Sequence, residues 1–327
     1  MYADKPQLHV RQRTHKRGEL RTIALDTTSR CNMSCSHCYA QTFSSVEMVD
    51  PAILKMALDE AYSMGVFHYV FQGGEPIVDP DRLEIILKNC HPDATYINIV
   101  SNGWGMTRDR IKWLRDLKVD KISYSLDSGI ADEHNLNRIA GSYDKVMEAI
   151  ENTLKCGLLT GISTVTTHQF LYSEGFNAAY RFAVEKQIRM DVQIAMPVGK
   201  WDGRKDLLVT DEDTKYLWEL YQHSPILPNG QKLLNRDIFC GFCPAVTEFI
   251  SITASGEVLP CNFIQYTMGN IKEKSLTEMR NDFLALEWFD GRHLKCLCGE
   301  DMDFVDKFIV PYVDRQKPLN AYEIFGL

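Results

Sequence analysis

Apolar positions along the chain alternate between short continuous runs and stretches with helical spacing. Strand-like runs occupy residues 22–25, 66–71, 95–100, 119–126, 158–165 and 190–195, and helical patterns cover 51–63, 80–88, 107–117, 142–156 and 176–185. Asp50-Pro51 and Asp79-Pro80 read as helix starts, an acidic cap followed by proline in the first turn. Gly65 and Gly157 stand where helices should stop. Six strands alternating with helices predict a parallel sheet, curled as a barrel or wound open, with its functional loops at the carboxyl ends of the strands. After Gly199 the pattern changes. Residues 200–240 are polar, with one helix expected over 211–223 and a loop over 224–230. Alternating apolar residues over 248–260, around Ala254-Ser255-Gly256, predict a β-hairpin, and a helix is expected over 275–286. The expected organisation is a basic arm (1–20), an α/β region (21–200), a linker with a helix (201–239) and a tail (240–327) ending in helices.

Composition narrows the class. A chain of 327 residues with 45% hydrophobic content can fill a substantial core. No apolar run approaches the roughly 18 residues that span a bilayer, and no hydrophobic signal region follows Met1, so a cytoplasmic protein without a membrane partner is expected. A net charge of −8 argues against a general nucleic-acid binder. The arm is the local exception, with Arg11, Arg13, Lys16, Arg17 and Arg21, and reads as a solvated basic segment rather than a docking site. Ten cysteines without a secretory signal point to metal or redox use instead of disulfides.

Residues 31–38 read Cys31-Asn-Met-Ser-Cys35-Ser-His-Cys38. Three thiolates on one short loop can hold three corners of a cubane [4Fe–4S] cluster and leave the fourth iron open for a chelating small molecule. Zinc is the alternative, but a structural zinc site wants four protein ligands, and His37 could supply the fourth only by straining the loop. Downstream, Gln72-Gly73-Gly74-Glu75-Pro76 closes a strand. Paired glycines there let backbone approach a ligand, and the Glu75 carboxylate can accept hydrogen bonds from an amine on the open iron.

These two motifs together resemble the radical S-adenosylmethionine (SAM) superfamily. The resemblance implies a partial (β/α)6 TIM-like barrel, open on one side, with SAM and a [4Fe–4S] cluster as cofactors. It implies Cys31, Cys35 and Cys38 as cluster ligands, His37 beside the adenine, and Gly73, Gly74 and Glu75 at the methionine amine. Ribose and carboxylate contacts are then expected near Ser101, Asn102, Ser125 and Arg138; an ordinary turn pair and a surface ion-pair partner are the plain readings of Ser101-Asn102 and Arg138.

The remaining cysteines gather in the tail. Cys243 and Cys261 flank the expected hairpin, and Cys296-Leu-Cys298 follows the expected helix, so four thiolates can meet. The spacing Cys243-x12-Gly256-x4-Cys261 and the run Gly269-Asn-Ile-Lys-Glu-Lys-Ser-Leu276 resemble the twitch domain, the shortened form of the SPASM domain. That resemblance implies a C-terminal twitch-type domain, a β-hairpin plus helix, with one auxiliary iron–sulfur cluster of the [4Fe–4S] type on Cys243, Cys261, Cys296 and Cys298. The closing C-x-C departs from the more usual C-x-x-C, and zinc on the same thiolates is the physical alternative. Cys90 and Cys156 end helices and read as packed thiols. Cys240 is an alternate ligand, a structural thiol or, as in resembling epimerases, a hydrogen-atom donor to a substrate radical.

The implied activity is reductive cleavage of SAM to a 5′-deoxyadenosyl radical that takes a hydrogen atom from a substrate, with a flavodoxin or ferredoxin as reductant. The auxiliary cluster would assist oxidation or epimerisation. A small polar substrate (an aminocyclitol, sugar or nucleoside) is expected over a ribosomal peptide, because the cluster loop begins at Cys31 and leader recognition would have to be separate. Asp127, Lys200 and Trp201 are candidate substrate contacts whose plain reading is structural. A different class, an iron–sulfur electron carrier or zinc protein without SAM, would have no use for Glu75 beside an open iron.

Overall fold

A computed structural model describes residues 5–42, 47–236 and 241–327. Helix α1 (Pro6–Thr14) precedes an alternation of strands and helices: β1 (Thr22–Thr28), α2 (Pro51–Ser63), β2 (His68–Gly73), α3 (Pro80–Asn89), β3 (Tyr96–Ser101), α4 (Arg108–Asp116) and β4 (Lys121–Ser125). Then come α5 (Ala131–Asn137), α6 (Ser142–Lys155), β5 (Leu159–Thr166), α7 (Glu174–Lys186), β6 (Arg189–Ile194) and α8 (Asp211–His223). The tail holds β7 (Leu234–Asn235), β8 (Phe249–Ile252), β9 (Glu257–Leu259), β10 (Tyr266–Thr267), β11 (Gly269–Asn270), α9 (Leu276–Leu284), α10 (Met302–Phe308), β12 (Leu319–Asn320) and α11 (Ala321–Phe325).

Local chemistry sets these boundaries. Asp50 accepts a hydrogen bond from the Ala52 amide at 2.7 Å and Asp79 one from Arg82, each with proline in the first turn of α2 and α3. Gly65 and Gly157 take positive φ (103° and 74°) directly after the caps of α2 and α6. Strands β1 to β6 pair in order, all parallel, and form the expected barrel segment.

The sheet does not stop at those six strands. Among the described residues it has ten, in the order β11-β9-β8-β1-β2-β3-β4-β5-β6-β7. The tail hairpin lies on the free edge of β1, with Thr22 opposite Phe249 and Leu25 opposite Ile252 in parallel register. At the other edge β7 pairs with β6. Residues 201–239, expected as a linker with a helix, also supply a strand parallel to β6, and the hairpin extends the barrel's own sheet. One apolar core runs through both regions, from Leu25, Phe71 and Ile122 to Ile250, Phe283 and Phe304.

The basic arm is not simply solvated. Lys5 is buried and pairs with Asp120 at 2.5 Å while donating to Thr95 O (2.9 Å) and Lys118 O (3.0 Å). Arg11 stacks over the Tyr62 ring at 3.5 Å, and Arg21 pairs with Glu248 at 2.9 Å. Helix α1 therefore closes the end of the barrel where the strands begin. Among the described residues no helix is long and apolar enough to cross a membrane.

Candidate functional site

The cysteine loop leaves the carboxyl end of β1 and meets the end of β2 at close quarters. The Gly74 amide donates to Thr28 O at 2.8 Å and the Glu75 amide to Arg30 O at 2.9 Å. A Cβ on Gly74 would lie 2.0 Å from Arg30 O, and one on Gly73, whose φ is 123°, 2.6 Å from Thr28 O. Glycine is required at both positions because two backbones touch there. This contact delivers Glu75 beside the loop. Its carboxylate accepts from Ser101 Oγ (2.9 Å) and the Asn102 amide (2.7 Å), and burial pushes it up to about 7 against those donors. Ser101 and Asn102 thus hold Glu75, a more specific role than an ordinary turn, and Asn102 Nδ2 also reaches Asn32 Oδ1 in the cysteine loop at 2.8 Å.

Arg138 is a buried, bidentate ion-pair partner and not a surface one. Its Nε and Nη2 donate to Asp127 at 2.8 and 2.9 Å, and Nη1 points to Cys35 Sγ at 3.7 Å. Burial raises the Asp127 carboxyl, but the Arg138 charge overrides it and holds the group at about 2. His37 lies 3.6 Å from Asp127 and 5.6 Å, ring to ring, from Trp201; burial lowers its pKa, so the ring is neutral. Lys200 donates from Nζ to Ser34 Oγ (2.8 Å) and from its amide to Cys38 O (3.1 Å). Asp127, Lys200 and Trp201 therefore serve the loop and its surroundings, in keeping with their structural reading. Burial raises the Cys31 thiol, and Glu75, Cys35 and Cys38 push it further, which places these groups together.

In the tail, the Cys243 amide donates to His293 O at 2.6 Å, Cys261 Sγ accepts from the Phe263 amide at 3.4 Å, and Cys298 Sγ donates to Phe263 O at 3.3 Å. Glu300, paired with the buried Arg236, accepts from the Cys296 amide at 2.9 Å. Burial and the neighbouring Cys243 push Cys296 up to about 12. Burial, then Cys261, Cys296 and Cys243, raise Cys298 well above the ordinary thiol range. The four tail thiols are thus electrostatic neighbours. Cys240 lies outside the described residues.

One cavity of about 990 Å³ joins these parts. Its walls include Cys31, Cys35, His37, Cys38, Gly73, Gly74, Glu75, Ser101, Asn102, Ser125 and Arg138 on one side, and Cys243, Cys261 and Cys296 on the other. Cys298 is buried behind that wall. Lower in the barrel the lining is polar: Asp191 accepts from Lys121 (2.7 Å), Arg189 (2.8 Å) and Asn235 (2.8 Å). Among the described residues no three His, Cys, Asp or Glu side chains close in on a single-ion site.

Comparison with known proteins decides the family. The profile of the Radical SAM superfamily matches residues 25–176, and that of the SPASM iron–sulfur cluster-binding domain matches residues 243–300. The PqqA peptide cyclase of Methylocella silvestris is 31% identical over 81% of this chain and 77% of its own length. The AdoMet-dependent heme synthase of Methanosarcina barkeri is 25% identical over 85% of this chain and 87% of its own. Among solved structures, anSMEcpe with bound AdoMet shares the fold with a TM-score of 0.64 at 20% identity, covering 93% of this chain and 95% of that one. Streptococcus suis SuiB bound to its precursor peptide SuiA gives 0.63 at 16% identity, over 84% and 67%.

The chain belongs to the radical SAM superfamily. A radical SAM domain implies SAM and a [4Fe–4S] cluster, and a SPASM domain implies auxiliary iron–sulfur clusters. The residues present fit these groups. At the radical SAM loop His37 is turned toward Asp127 and Trp201, so the loop offers three thiols and no fourth donor, and Glu75 stands nearby with a carboxylate suited to an amine. In the SPASM region four thiols, the donor type that iron–sulfur clusters take, are gathered in a low-dielectric wall. What sequence reasoning missed is the support: the Asp127–Arg138 pair, the Glu300–Arg236 pair, and Asp26, a cavity-wall carboxylate two residues before the end of β1. Asp26 gave a signal, since a carboxylate directly after the apolar Ile23-Ala24-Leu25 run and buried in the strand calls for an explanation.

Proposed function

We propose that this chain cleaves SAM reductively and removes a hydrogen atom from a small polar substrate held between its two cysteine sites. The observation that carries this reading is the single cavity lined by both sets of cysteines and by Glu75. Cys31, Cys35 and Cys38 would hold the radical SAM cluster; Cys243, Cys261, Cys296 and Cys298 would hold one auxiliary cluster. When bound, SAM and the reduced cluster supply a 5′-deoxyadenosyl radical. The protein's part is placement. Glu75, fixed by Ser101 and Asn102, would accept the methionyl amine, and the raised pKa of its carboxyl falls once a cation shares the site. Gly73 and Gly74 leave room for the backbone contact that sets Glu75 in place. Arg138, clamped by Asp127, presents its remaining nitrogen toward the loop and the SAM carboxylate. Ser125, at the end of β4, and His37 line the same chamber and are placed for ribose and adenine. A small electron carrier such as flavodoxin or ferredoxin would reduce the cluster, with the auxiliary cluster assisting oxidation or epimerisation.

The polar barrel wall favours a small hydrophilic molecule, such as an aminocyclitol, sugar or nucleoside. A peptide substrate is the second reading, favoured by the 31% identity to a peptide cyclase. The test is anaerobic reconstitution followed by SAM and dithionite. Formation of 5′-deoxyadenosine and methionine is expected; if neither forms while both clusters are intact, the reading is wrong. Adding candidate peptides or polyols to the same assay separates the two substrate classes by which of them raises deoxyadenosine output.

A further inference from the structure

Asp26 projects into the cavity from β1 at 6% exposure. Its Oδ1 accepts from Tyr39 Oη at 3.1 Å and Gln72 Nε2 at 3.4 Å, and Gln72 also donates to Tyr39 Oη at 2.9 Å. Both partners belong to the motifs already described: Tyr39 follows Cys38, and Gln72 precedes Gly73. Tyr39 also reaches the SPASM region, where its ring meets the Phe263 ring edge-on at 5.7 Å and its carbonyl accepts from Gln265 Nε2 at 2.8 Å. The Asp26 group therefore sits where the two halves of the cavity meet. Other carboxylates in the wall are already engaged: Asp191 by Lys121 and Arg189, Glu75 by Ser101 and Asn102, Glu257 by Asn270 and Thr267, and Glu47 in interactions of its own. Asp26 is held by neutral donors, and both meet the same oxygen.

We propose that Asp26 is the proton acceptor for the substrate, which this assigns to the alcohols or amines. The inference rests on the function proposed above. Removal of a hydrogen atom from a carbon bearing O–H or N–H leaves a carbon radical. Conversion of that radical to a C=O or C=N product releases one electron and one proton. The electron leaves to the iron–sulfur cluster on the tail cysteines, and the proton passes to Asp26 Oδ2, which Tyr39 and Gln72 leave unengaged. The 5′-deoxyadenosyl radical, which SAM would give with one electron from the reduced cluster and with methionine as the leaving group, takes up the hydrogen atom as 5′-deoxyadenosine, so atoms and electrons balance. The groups bonded to Asp26 are Tyr39 from the cysteine loop and Gln72 from β2, and neither is charged near neutral pH. Burial pushes the Asp26 carboxyl up to about 6 against the two hydrogen bonds, a basicity suited to accepting a proton at neutral pH.

Isotope-edited infrared spectroscopy on reconstituted holoenzyme, with carboxyl-labelled aspartate and the Asp26→Asn variant for assignment, reads the group directly. The expected result is a carboxylic-acid band titrating with a midpoint near 6, moved up by about one unit in Tyr39→Phe as a hydrogen bond to the ionised form is lost. Access is read with a water-soluble carbodiimide and glycine methyl ester, followed by peptide mapping. Asp26 should be labelled, at a rate that falls as the pH rises through the midpoint. A carboxyl that stays ionised below pH 4.5, that is unmoved in Tyr39→Phe, or that the reagent never reaches overturns the proposal. If Asp26→Asn does not fold, the label and Tyr39→Phe still decide it. Deoxyadenosine production by the wild type separately reports on the underlying function.

Discussion

At the front of the cavity, Cys31, Cys35 and Cys38 stand on an irregular loop pinned by polar groups: Arg138 at Cys35, Lys200 at Ser34, Asn102 at Asn32. At the back, Cys298 is embedded in the apolar core, where its Sγ donates to the Phe263 carbonyl, and Cys296 packs against that core beside the Glu300–Arg236 pair. The difference follows from what each site must allow. A loop fixed by side-chain hydrogen bonds can present an open face to a ligand that comes and goes. Thiols packed into a core that has lost its water suit a group that stays, because an uncoordinated thiolate there is costly. The front is arranged for exchange and the back for permanence.

That contrast can be broken experimentally, beginning with the largest effect. Replacing Cys31, Cys35 and Cys38 together by alanine should abolish SAM cleavage and remove about four of about eight irons, the content of one of two cubane clusters. Iron analysis checks it; loss of all iron would mean the back site depends on the front. Gly74→Ala forces a Cβ against Arg30 O at 2.0 Å and should cost more than about 3 kcal/mol in urea unfolding, with poor incorporation of the front cluster only.

Arg138→Ala leaves Asp127 buried without its cation and should cost about 3–5 kcal/mol at neutral pH. Its pH signature has a definite sign. With Arg138 present the folded-state pKa of Asp127 is about 2, below the ordinary 3.8, so the pair's contribution is complete above 3.8 and fades as pH falls toward 2. The gap between variant and parent should therefore close on acidification. Glu75→Gln runs the other way. Burial raises Glu75 from 4.5 to about 7, so its ionisation weakens the SAM-free protein as pH rises through that window. The variant should match the parent below pH 4.5 and exceed it by at most about 3 kcal/mol above pH 7, by thermal or urea unfolding. It should also bind SAM about 10- to 100-fold more weakly in equilibrium dialysis, as expected for loss of a charge-assisted hydrogen bond.

Elements that carry their own periodicity and caps were legible in the sequence. The bounds of α2 and α8 are those the spacing predicts, and β1 to β6 fall on the six apolar runs. Strand β7 has two residues inside a polar stretch, too short for any period to register. The β1–β8 pairing joins residues more than two hundred positions apart, and only tertiary structure discloses it. Helix α1 buries a single apolar side chain, Leu8, and owes its place to Lys5 and Arg11, so its sequence looks like a solvated tail. The same logic holds at the site. Cys31, Cys35, Cys38 and Glu75 belong to compact motifs, whereas Asp127 and Arg138 acquire meaning from each other and the cysteine loop, and Asp26 from Tyr39 and from Gln72 on the next strand.

Gly199 and Lys200 reach back to the cysteine loop from beyond β6. A Cβ on Gly199 would lie 2.2 Å from Cys38 O, and the Lys200 amide and ammonium bond to Cys38 and Ser34. During synthesis the loop emerges more than 160 residues before its clasp. Its thiols cannot take their final positions until the whole barrel has left the ribosome. A nascent chain that stops short of Gly199 and Lys200 therefore holds its three thiols in an unclasped segment.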